Sequence, residues 1–322
     1  MKTPAHLFGP VPSRRFGRSL GVDLTPYKTC SFDCVFCQLG RTTNKTLDRR
    51  EYVPTEQVIE ELRQWLAAGG QADYITLSGS GEPTLHSRFG EVIDAVRRFG
   101  PMACAVLTNG TLLDQQSVRE AAARADVVKI SLSAWGSESF QRVNRPHEKL
   151  RFERLLDGMV RFRSVFDGQI WLEVFLLSGI NDHPDDVVKL AALAERIGPD
   201  RIHLNTVVRP PAEPIAEPVS TDRLAMLCRL FRPAAEVIAE VDICCDPKIS
   251  INAETIFSML QRRPCTSEQI AKGFGMHFNE VSKYLGYLVR SGRVREVRKN
   301  GLVHYAVERA PDIDDGPPGG TY

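Results

Sequence analysis

Three cysteines within eight residues constrain this chain more than any other feature. Cys30, Cys34 and Cys37 are spaced C-x3-C-x2-C, so one short loop can bring their sulfurs to one face. Thiolates are soft ligands, which makes zinc and iron–sulfur clusters the candidate metals. A structural zinc site needs four protein ligands, but the next cysteine is Cys104. Three ligands on a four-iron cube leave one iron open to a small molecule, as expected of a cluster that does chemistry. Three unrelated buried cysteines, or half of a zinc site, are the alternatives.

Composition is that of an ordinary globular protein with one large and one small domain. The chain has 322 residues, of which 43% are hydrophobic and 25% charged, and its net charge is +1. No apolar run is long enough to span a bilayer, and the first residues lack the apolar stretch of a secretion signal. Eight cysteines are too few for a disulfide scaffold. We therefore expect a reducing, cytoplasmic setting. The low net charge gives no global argument for nucleic-acid binding.

A glycine-containing segment follows the second predicted strand. The strand 74–77 runs into Ser78-Gly79-Ser80-Gly81-Glu82-Pro83-Thr84. Glycines allow the backbone to approach a ligand closely, and Glu82 supplies a carboxylate at the end of the strand. Alone, a segment of this kind is weak evidence for a binding site.

Strands and helices alternate along most of the chain. This alternation implies a parallel sheet with right-handed crossovers. The predicted fold is an α/β partial barrel of six units, (β/α)6, which is short of the eight units of a closed TIM barrel. The predicted strands are 19–24, 74–77, 103–107, 127–133, 169–177 and 201–207, and the predicted helices are 55–68, 87–99, 114–124, 137–166, 184–197 and 220–232.

Polar residues collect where the predicted strands end. In barrels of this type the chemistry gathers at the carboxyl ends of the strands. The cysteine loop, Glu82, Asn109, Ser133 and Asn181 all fall on that rim. We also expect the Asn181-Asp182 pair to cap helix 184–197.

The cysteine motif resembles the signature of the radical S-adenosylmethionine (radical SAM) superfamily, in which an aromatic residue, here Phe36, precedes the last cysteine. Ser80-Gly81-Glu82 resembles the Gly-Gly-Glu-type motif of these enzymes, with Ser80 as a departure at one position. The resemblance covers about residues 14–210. Residues 11–40 look like a group of radical SAM iron–sulfur oxidoreductases related to those of tRNA wybutosine synthesis.

The resemblance implies a mechanism. Cys30, Cys34 and Cys37 would ligate three irons of a [4Fe–4S] cluster, and the fourth iron would bind the amino and carboxylate groups of S-adenosylmethionine. One electron from a flavodoxin- or ferredoxin-type donor would then yield a 5′-deoxyadenosyl radical, which abstracts hydrogen from a substrate that the sequence does not identify.

The resemblance also assigns residues to the cofactor. Glu82 would bind its amino group, the backbone near Phe36 would neighbour the adenine, and strand-end polar residues would contact the ribose or carboxylate. Each strand-end residue has the alternative of being an ordinary polar residue at that position. The predicted cofactor-binding residues are Phe36, Ser80, Gly81, Glu82, Asn109, Ser131 and Ser133.

Four further residues are candidates for substrate binding. Glu173 lies within a predicted strand, where a buried carboxylate needs a partner, so a structural ion pair is its alternative. Asn205 on the sixth strand is similar. Arg14 and Arg15, in a lead-in (residues 1–18) that we expect to be irregular, have the chemistry to bind an anion, or to remain solvated. The Pro-rich residues 208–219 form a lid over the substrate or a stiff connection.

A different pattern begins after residue 250. Helices 253–262, 268–274 and 277–290 precede two strands around Asn300-Gly301, and this order resembles a winged helix-turn-helix. Residues 251–310 carry ten Lys and Arg against five Asp and Glu. The module therefore has three possible roles: binding RNA or DNA, docking a protein, or none beyond a solvated surface. The candidate nucleic-acid contacts are Arg293, Arg295, Arg298 and Lys299.

We therefore predict a barrel domain at 1–250, a winged-helix-like domain at 251–310 and a disordered tail at 311–322. Four of the five other cysteines are expected to be buried small residues, with an auxiliary cluster as the alternative. They are Cys228, Cys244, Cys245 and Cys265.

The predicted function is that of a radical SAM enzyme. A glycyl-radical-activating enzyme and a tRNA-modifying enzyme are the alternatives within that class. A transcriptional regulator whose cluster senses redox state or SAM is the alternative of another class, and Glu82 argues against it, because a sensor needs no amine-binding carboxylate.

Overall fold

The computed structural model of this chain describes residues 6–13, 15–238, 253–274, 276, 278–299 and 301–307. Two structural units can be distinguished, each with its own apolar core. No helix in these ranges has the length and apolar character needed to cross a membrane.

The larger unit is built on one mixed sheet covered by helices. Its strands are β1 Leu7–Ser13, β2 Gly17–Val22, β3 Thr29–Cys30, β4 Asn44–Lys45, β5 Tyr74–Leu77, β6 Ala103–Thr108, β7 Val127–Ser131, β8 Gln169–Phe175, β9 Arg201–Asn205 and β10 Glu236–Val237. Its helices are α1 Thr55–Ala67, α2 Phe89–Phe99, α3 Gln116–Ala122, α4 Ser137–Asn144, α5 Phe152–Arg163, α6 Pro184–Ile197 and α7 Thr221–Cys228.

The order of the strands follows the chain. The main sheet runs β1-β2-β5-β6-β7-β8-β9-β10, and every neighbouring pair from β2 to β10 is parallel. The six strands expected from the alternating pattern are all present, so the α/β class with a parallel sheet is confirmed. The short pair β3 and β4 lies apart, within the loop that carries the cysteines.

We expected the lead-in to be irregular, but this expectation is wrong for Leu7–Ser13. These residues form the edge strand β1, which is antiparallel to β2. An edge strand tolerates Pro10 and Pro12, since it has neighbours on one side only. The register shifts between Phe8 and Val11, which accommodates this proline-containing stretch. A second difference is the helical region 137–166, which is two helices, α4 and α5. Arg145 adopts a left-handed conformation at the end of α4, and Pro146 follows it.

The smaller unit contains three helices and a three-stranded antiparallel sheet. Its own core is apolar, and Val11 of β1 packs against it. The expected helices and both expected strands are present, and the short strand β11 was not expected. The elements are α8 Ala253–Arg262, β11 Cys265–Thr266, α9 Ser267–Phe274, α10 Phe278–Arg290, β12 Val294–Lys299 and β13 Leu302–Val307.

A buried ion pair attaches α8 to the sheet of the larger unit. Arg262 donates hydrogen bonds from Nη1 to Asp23 Oδ2 and to Ser80 Oγ, and its guanidinium lies over the ring of Phe8. Asp23 follows β2 and is only 6% exposed. The smaller unit therefore sits against the carboxyl ends of β2 and β5.

Replacing Arg262 with methionine is expected to lower the free energy of unfolding by about 3 kcal/mol, because the Asp23 carboxylate would stay buried without its partner. Urea denaturation measures this difference. The matched control is the double variant Asp23→Asn/Arg262→Met, which removes both charges and should recover part of the loss. Equal midpoints for the wild type and Arg262→Met would contradict the role of the pair.

Candidate functional site

The cysteine loop leaves β2 and presents its three sulfurs to different side-chain donors. Hydrogen bonds to sulfur stabilise the negative charge of a thiolate and tune a cluster bound to it. Because the donors come from separate elements, the fold orients each sulfur independently. The pairs are Asn109 Nδ2 with Cys30 Sγ (3.6 Å), Asn144 Nδ2 with Cys34 Sγ (3.4 Å) and Lys28 Nζ with Cys37 Sγ (3.0 Å).

The three cysteines suit a cluster better than a single ion. All three are half-buried and free of disulfides. A single zinc with Zn–S bonds of about 2.3 Å needs four ligands closely grouped around one point. In the part of the chain that the structure describes, no group of three or more His, Cys, Asp and Glu side chains is arranged to hold a single metal ion. A cluster in which each thiolate ligates a different iron does not need such close grouping.

Burial favours the protonated form of two of the thiols, those of Cys30 and Cys34. Burial, followed by the nearby Glu82 carboxylate, raises the pKa of Cys30 to about 12. Burial, followed by Cys30, raises the pKa of Cys34 still further. A metal that binds here must therefore displace protons from these sulfurs.

Glu82 is buried at the end of β5 and is held by four hydrogen bonds. Its side chain caps the short 3-10 helix Pro83–Leu85, and it is only 2% exposed. Hydroxyl and backbone donors occupy both carboxylate oxygens. They are Thr84 N (3.1 Å), Thr84 Oγ1 (2.6 Å) and Thr108 Oγ1 (2.7 Å) to Oε1, and Asn109 N (2.7 Å) to Oε2.

The charge of Glu82 is not neutralised by a contact with Lys or Arg. Among the described residues no cationic side chain forms an ion pair with it, and burial raises its pKa. An ionised carboxylate in such a place is costly unless a cation arrives. Its environment therefore fits the ammonium group of a bound ligand.

The glycine-containing segment and the cysteine loop are joined through their backbones. Glu82 N donates to Thr29 O (3.1 Å), and Lys28 N donates to Ser80 O (2.8 Å). Between these bonds, a Cβ atom on Gly81 would overlap the carbonyl oxygen of Thr29. The close approach of the two segments therefore requires glycine at this position.

Replacing Gly81 with alanine is expected to destabilise the protein by about 3 kcal/mol, because a backbone carbonyl cannot move aside as a side chain can. Thermal unfolding measures the loss. Gly136→Ala is the matched control, since Gly136 is extended and a Cβ there meets no atom within 4 Å. A Gly81→Ala protein as stable as this control would contradict the close contact.

Asn109 connects the carboxylate to the cysteine loop. Its backbone N–H binds Glu82, while its side-chain Nδ2 donates to Ser31 Oγ (2.8 Å) and reaches the sulfur of Cys30. The cysteines, Gly81, Glu82 and Asn109 therefore meet at one place, although they come from three βα connections.

The Ser80 side chain makes its contacts with Asp23 and with the smaller unit. Its Oγ donates to Asp23 Oδ2 (2.6 Å) and accepts from Arg262, so its side chain belongs to the contact with the smaller unit. Sequence reasoning missed Asp23. The signal was an acidic residue between the apolar residues Val22 and Leu24.

A cavity of about 370 Å³ opens beside the cysteine loop. Phe36 and Cys37 line it, and the Phe36 ring stacks on Phe175 with the ring centres 4.1 Å apart. Residues of β1, β2 and β5–β9 form other walls, and the loop after β9 and the end of α8 in the smaller unit complete the lining.

Glu173 projects into this cavity with partners on both sides. Lys129 Nζ lies 2.6 Å from Oε2, and Arg15 and Asn205 Nδ2 (3.0 Å) contact Oε1. Glu173 is therefore ion-paired, as the structural alternative expects, and it also lines the cavity, while its role in substrate binding stays a prediction. Arg15 and Asn205 join it, whereas Arg14 lies outside the described residues.

The side chains of the remaining rim residues form hydrogen bonds with other groups of the protein. Ser131 Oγ lies 3.2 Å from Lys129 Nζ, and Ser133 Oγ accepts a bond from Phe175 N (3.4 Å). We expected Asn181 to cap α6, but His183 occupies the N-cap position. Instead its side chain binds the backbone of residues 133, 175 and 177, which fixes the ends of two strands.

The four residues predicted to contact nucleic acid do not all project from one face. Arg293 makes a double ion pair with Glu254 (2.6 and 2.9 Å). Arg295 and Lys299 alternate with Arg298 along β12, so they project from opposite faces of the strand. Nucleic-acid binding by these residues stays a prediction.

Two of the four cysteines considered for an auxiliary cluster can be located. Cys265 is buried and Cys228 is half-buried, and both are free. Cys244 and Cys245 fall outside the described residues, so the auxiliary cluster stays an open alternative.

Comparison with known proteins identifies relatives over most of the chain. The family model of the radical SAM superfamily matches residues 24–191. A protein named GTPase Obg from Brachyspira hyodysenteriae is 35% identical over 310 residues, which are 94% of this chain and 45% of that protein. The chain thus spans less than half of that relative. A UPF0026 protein of Helicobacter pylori is 33% identical over 273 residues, or 83% of this chain and 87% of the relative.

The fold also has counterparts among solved structures. A structure described as TYW1 with a lysine-pyruvate adduct bound has a TM-score of 0.51 and 20% sequence identity. The match covers 68% of this chain and 74% of that one. At this identity the likeness is one of fold alone.

Proposed function

Since this chain belongs to the radical SAM superfamily, whose enzymes use a [4Fe–4S] cluster and S-adenosylmethionine, we propose specific residues for both cofactors. Cys30, Cys34 and Cys37 ligate three irons of the cluster, and Glu82 binds the amino group of S-adenosylmethionine. The observation that carries this assignment is the Glu82 carboxylate, which is buried, held by four donors and without a cation among the described residues.

The residues of the chain prepare the site for this chemistry. When bound, the cluster and S-adenosylmethionine supply the electron transfer and the radical that removes a hydrogen atom from a substrate. Asn109 fixes Glu82 relative to Cys30, so that the carboxylate and the sulfur keep their separation. The stacked rings of Phe36 and Phe175 give the cavity an apolar wall beside Cys37.

The proposed architecture follows the same assignment. We infer that β2 and the five parallel strands from β5 to β9 form a (β/α)6 partial barrel, since the cysteine loop and Glu82 both follow its strands. The smaller unit is proposed to be a winged helix-turn-helix, because β12 and β13 form a hairpin after three helices. A cytoplasmic location and a flavodoxin- or ferredoxin-type electron donor complete the proposal.

Anaerobic reconstitution with iron and sulfide tests the proposed cluster. We expect about four irons and four sulfides for each chain, with a paramagnetic signal after reduction that changes when S-adenosylmethionine is added. One zinc per chain with no acid-labile sulfide would contradict the assignment.

A further inference from the structure

The sulfurs of the cysteine loop face side-chain donors of two kinds. Cys30 and Cys34 each face the neutral side-chain amide of an asparagine, at 3.6 and 3.4 Å. Cys37 receives a hydrogen bond from the ammonium group of Lys28, whose Nζ lies 3.0 Å from Sγ. A hydrogen bond from a charged donor is about twice as strong as one from a neutral donor. The described contacts therefore give Cys37 the strongest side-chain donor of the three.

The ammonium group of Lys28 is buried, and its described surroundings contain no carboxylate partner. Lys28 is only 3% exposed, and no Asp or Glu among the described residues forms an ion pair with it. The ordinary pKa of a lysine is about 10.4, so its side chain is charged near neutral pH. A buried cation is costly unless an anion lies beside it. A ligating thiolate at Cys37 would be that anion.

The backbone of Lys28 has a conformation that favours glycine. Lys28 is the third residue of the turn formed by residues 26–29, in which Thr29 N donates to Pro26 O (3.2 Å). Its φ is 55°, in the left-handed region that glycine and asparagine usually occupy at such a position. A residue with a Cβ atom is less favourable there than glycine. A requirement for the lysine side chain beside Cys37 explains this placement.

Hydrogen bonds on both sides hold the backbone of Lys28. Its N–H donates to Ser80 O (2.8 Å), in the segment that also carries Glu82, and its carbonyl accepts from Asn44 N (3.1 Å). Asn44 belongs to β4, which pairs with β3 in the cysteine loop. The segments that build the site therefore also set the position of the ammonium group beside Cys37.

The lysine lies on the side of the cysteine loop that faces the cavity. Among the three loop cysteines, Cys37 is the one that lines the described cavity. Cys30 lies on the other side, where Asn109 links it to the Glu82 carboxylate. The site thus has an anion on the Cys30 side and a cation on the Cys37 side.

We propose that Lys28 raises the reduction potential of the cluster through its hydrogen bond to Cys37. This inference rests on the proposed function and adds to it a residue that acts through a ligand. An iron–sulfur cluster with three thiolate ligands carries a net negative charge, and one-electron reduction increases that charge. A fixed cation beside a ligating sulfur stabilises the reduced form more than the oxidised form. Lys28 would therefore make electron transfer to the cluster more favourable.

A redox titration of the reconstituted protein, followed through the paramagnetic signal of the reduced cluster, tests this role. Lys28→Met removes the charge and the donor but keeps a side chain of similar length. We expect it to lower the equilibrium constant for one-electron reduction by about tenfold or more, which is a fall of about 59 mV in the potential. Lys28→Arg keeps the charge and should recover most of that fall.

Lys45→Met is the matched control, because Lys45 also lies beside the cysteine loop but is exposed. It donates to the backbone carbonyls of residues 145 and 146, at 3.4 Å each, and not to a sulfur. Its potential should equal that of the wild type. Lys28→Gln is a second neutral variant that keeps a donor, and its potential should also fall. It decides the question if Lys28→Met binds less iron than the wild type.

Iron and sulfide analysis accompanies every titration. Equal potentials in the wild type and in the neutral variants, with full clusters, would overturn the inference and leave the proposed function standing. An unchanged potential with weaker binding of S-adenosylmethionine would also overturn it, since Lys28 would then serve the cofactor. Loss of the cluster from both neutral variants would assign the lysine to cluster assembly and contradict the proposed role. A wild-type protein that assembles no cluster would contradict the proposed function, and the inference with it.

Discussion

Replacing Cys34 with alanine is expected to leave the reconstituted protein with almost no bound iron and to reduce S-adenosylmethionine cleavage by more than about a hundredfold. Loss of an outer hydrogen-bonding partner alone costs a metal site about 10- to 100-fold. Cys34 is itself a proposed ligand, and Asn144 Nδ2 donates a hydrogen bond to its sulfur. Two cysteines cannot retain the cluster against dissociation. Iron and sulfide analysis, together with product quantification, measures both effects.

Cys228→Ala is the matched control for this variant. Cys228 is also a half-buried free cysteine, but it lies at the end of α7, outside the cysteine loop. It should retain the full iron content and rate. A Cys34→Ala protein that keeps about four irons would show that this sulfur is not a ligand.

Replacing Glu82 with glutamine is expected to weaken S-adenosylmethionine binding by about a hundredfold or more while leaving the iron content unchanged. The amide has nearly the same shape, but it has no charge to pair with the ammonium group. Removing one member of a buried, hydrogen-bonded charge pair costs about 2–5 kcal/mol of binding free energy. Because the three thiol ligands remain, the cluster should form normally, which separates this variant from Cys34→Ala.

The measurement is equilibrium binding of S-adenosylmethionine to the oxidised cluster, followed through its change in absorbance. Glu195→Gln on the exposed surface of α6 is the matched control and should bind as the wild type does. Wild-type affinity in Glu82→Gln would show that the carboxylate does not bind the cofactor.

The parallel sheet was predictable because its signals are local. Each strand of the core is a short apolar run that ends at a polar or glycine-containing turn, and each is followed by an amphipathic helix. Glu82 and Asn109 were placed correctly on one rim for the same reason, since the carboxyl ends of parallel strands lie at the same edge. The spacing of Cys30, Cys34 and Cys37 was enough to locate the cysteine loop.

The contacts that complete the site were not predictable from local pattern. β1 contains two prolines and reads as irregular, and only its place at the sheet edge makes it a strand. Arg15 and Glu173 are separated by 158 residues, and Asp23 and Arg262 by 239. Nothing in the sequence around either arginine specifies such a distant partner.

The smaller unit shows the same division between local and distant information. Its helices and hairpin were predicted closely, because their periodicity and turn are local signals. Its attachment to the larger unit was not predicted, since it depends on the contacts of Arg262 with Asp23 and Ser80. The basic strand β12 stood out in the sequence, whereas the arginine that attaches this unit to the sheet, Arg262, lies at the end of α8.

We propose above all that three sulfurs hold a cluster beside a carboxylate that receives an amino acid's ammonium group. The most direct test is to reduce the reconstituted wild-type protein with dithionite in the presence of S-adenosylmethionine and quantify the products. We predict 5′-deoxyadenosine and methionine in equal amounts, both absent from Cys34→Ala. A fully loaded, reduced cluster that leaves S-adenosylmethionine intact would contradict the claim.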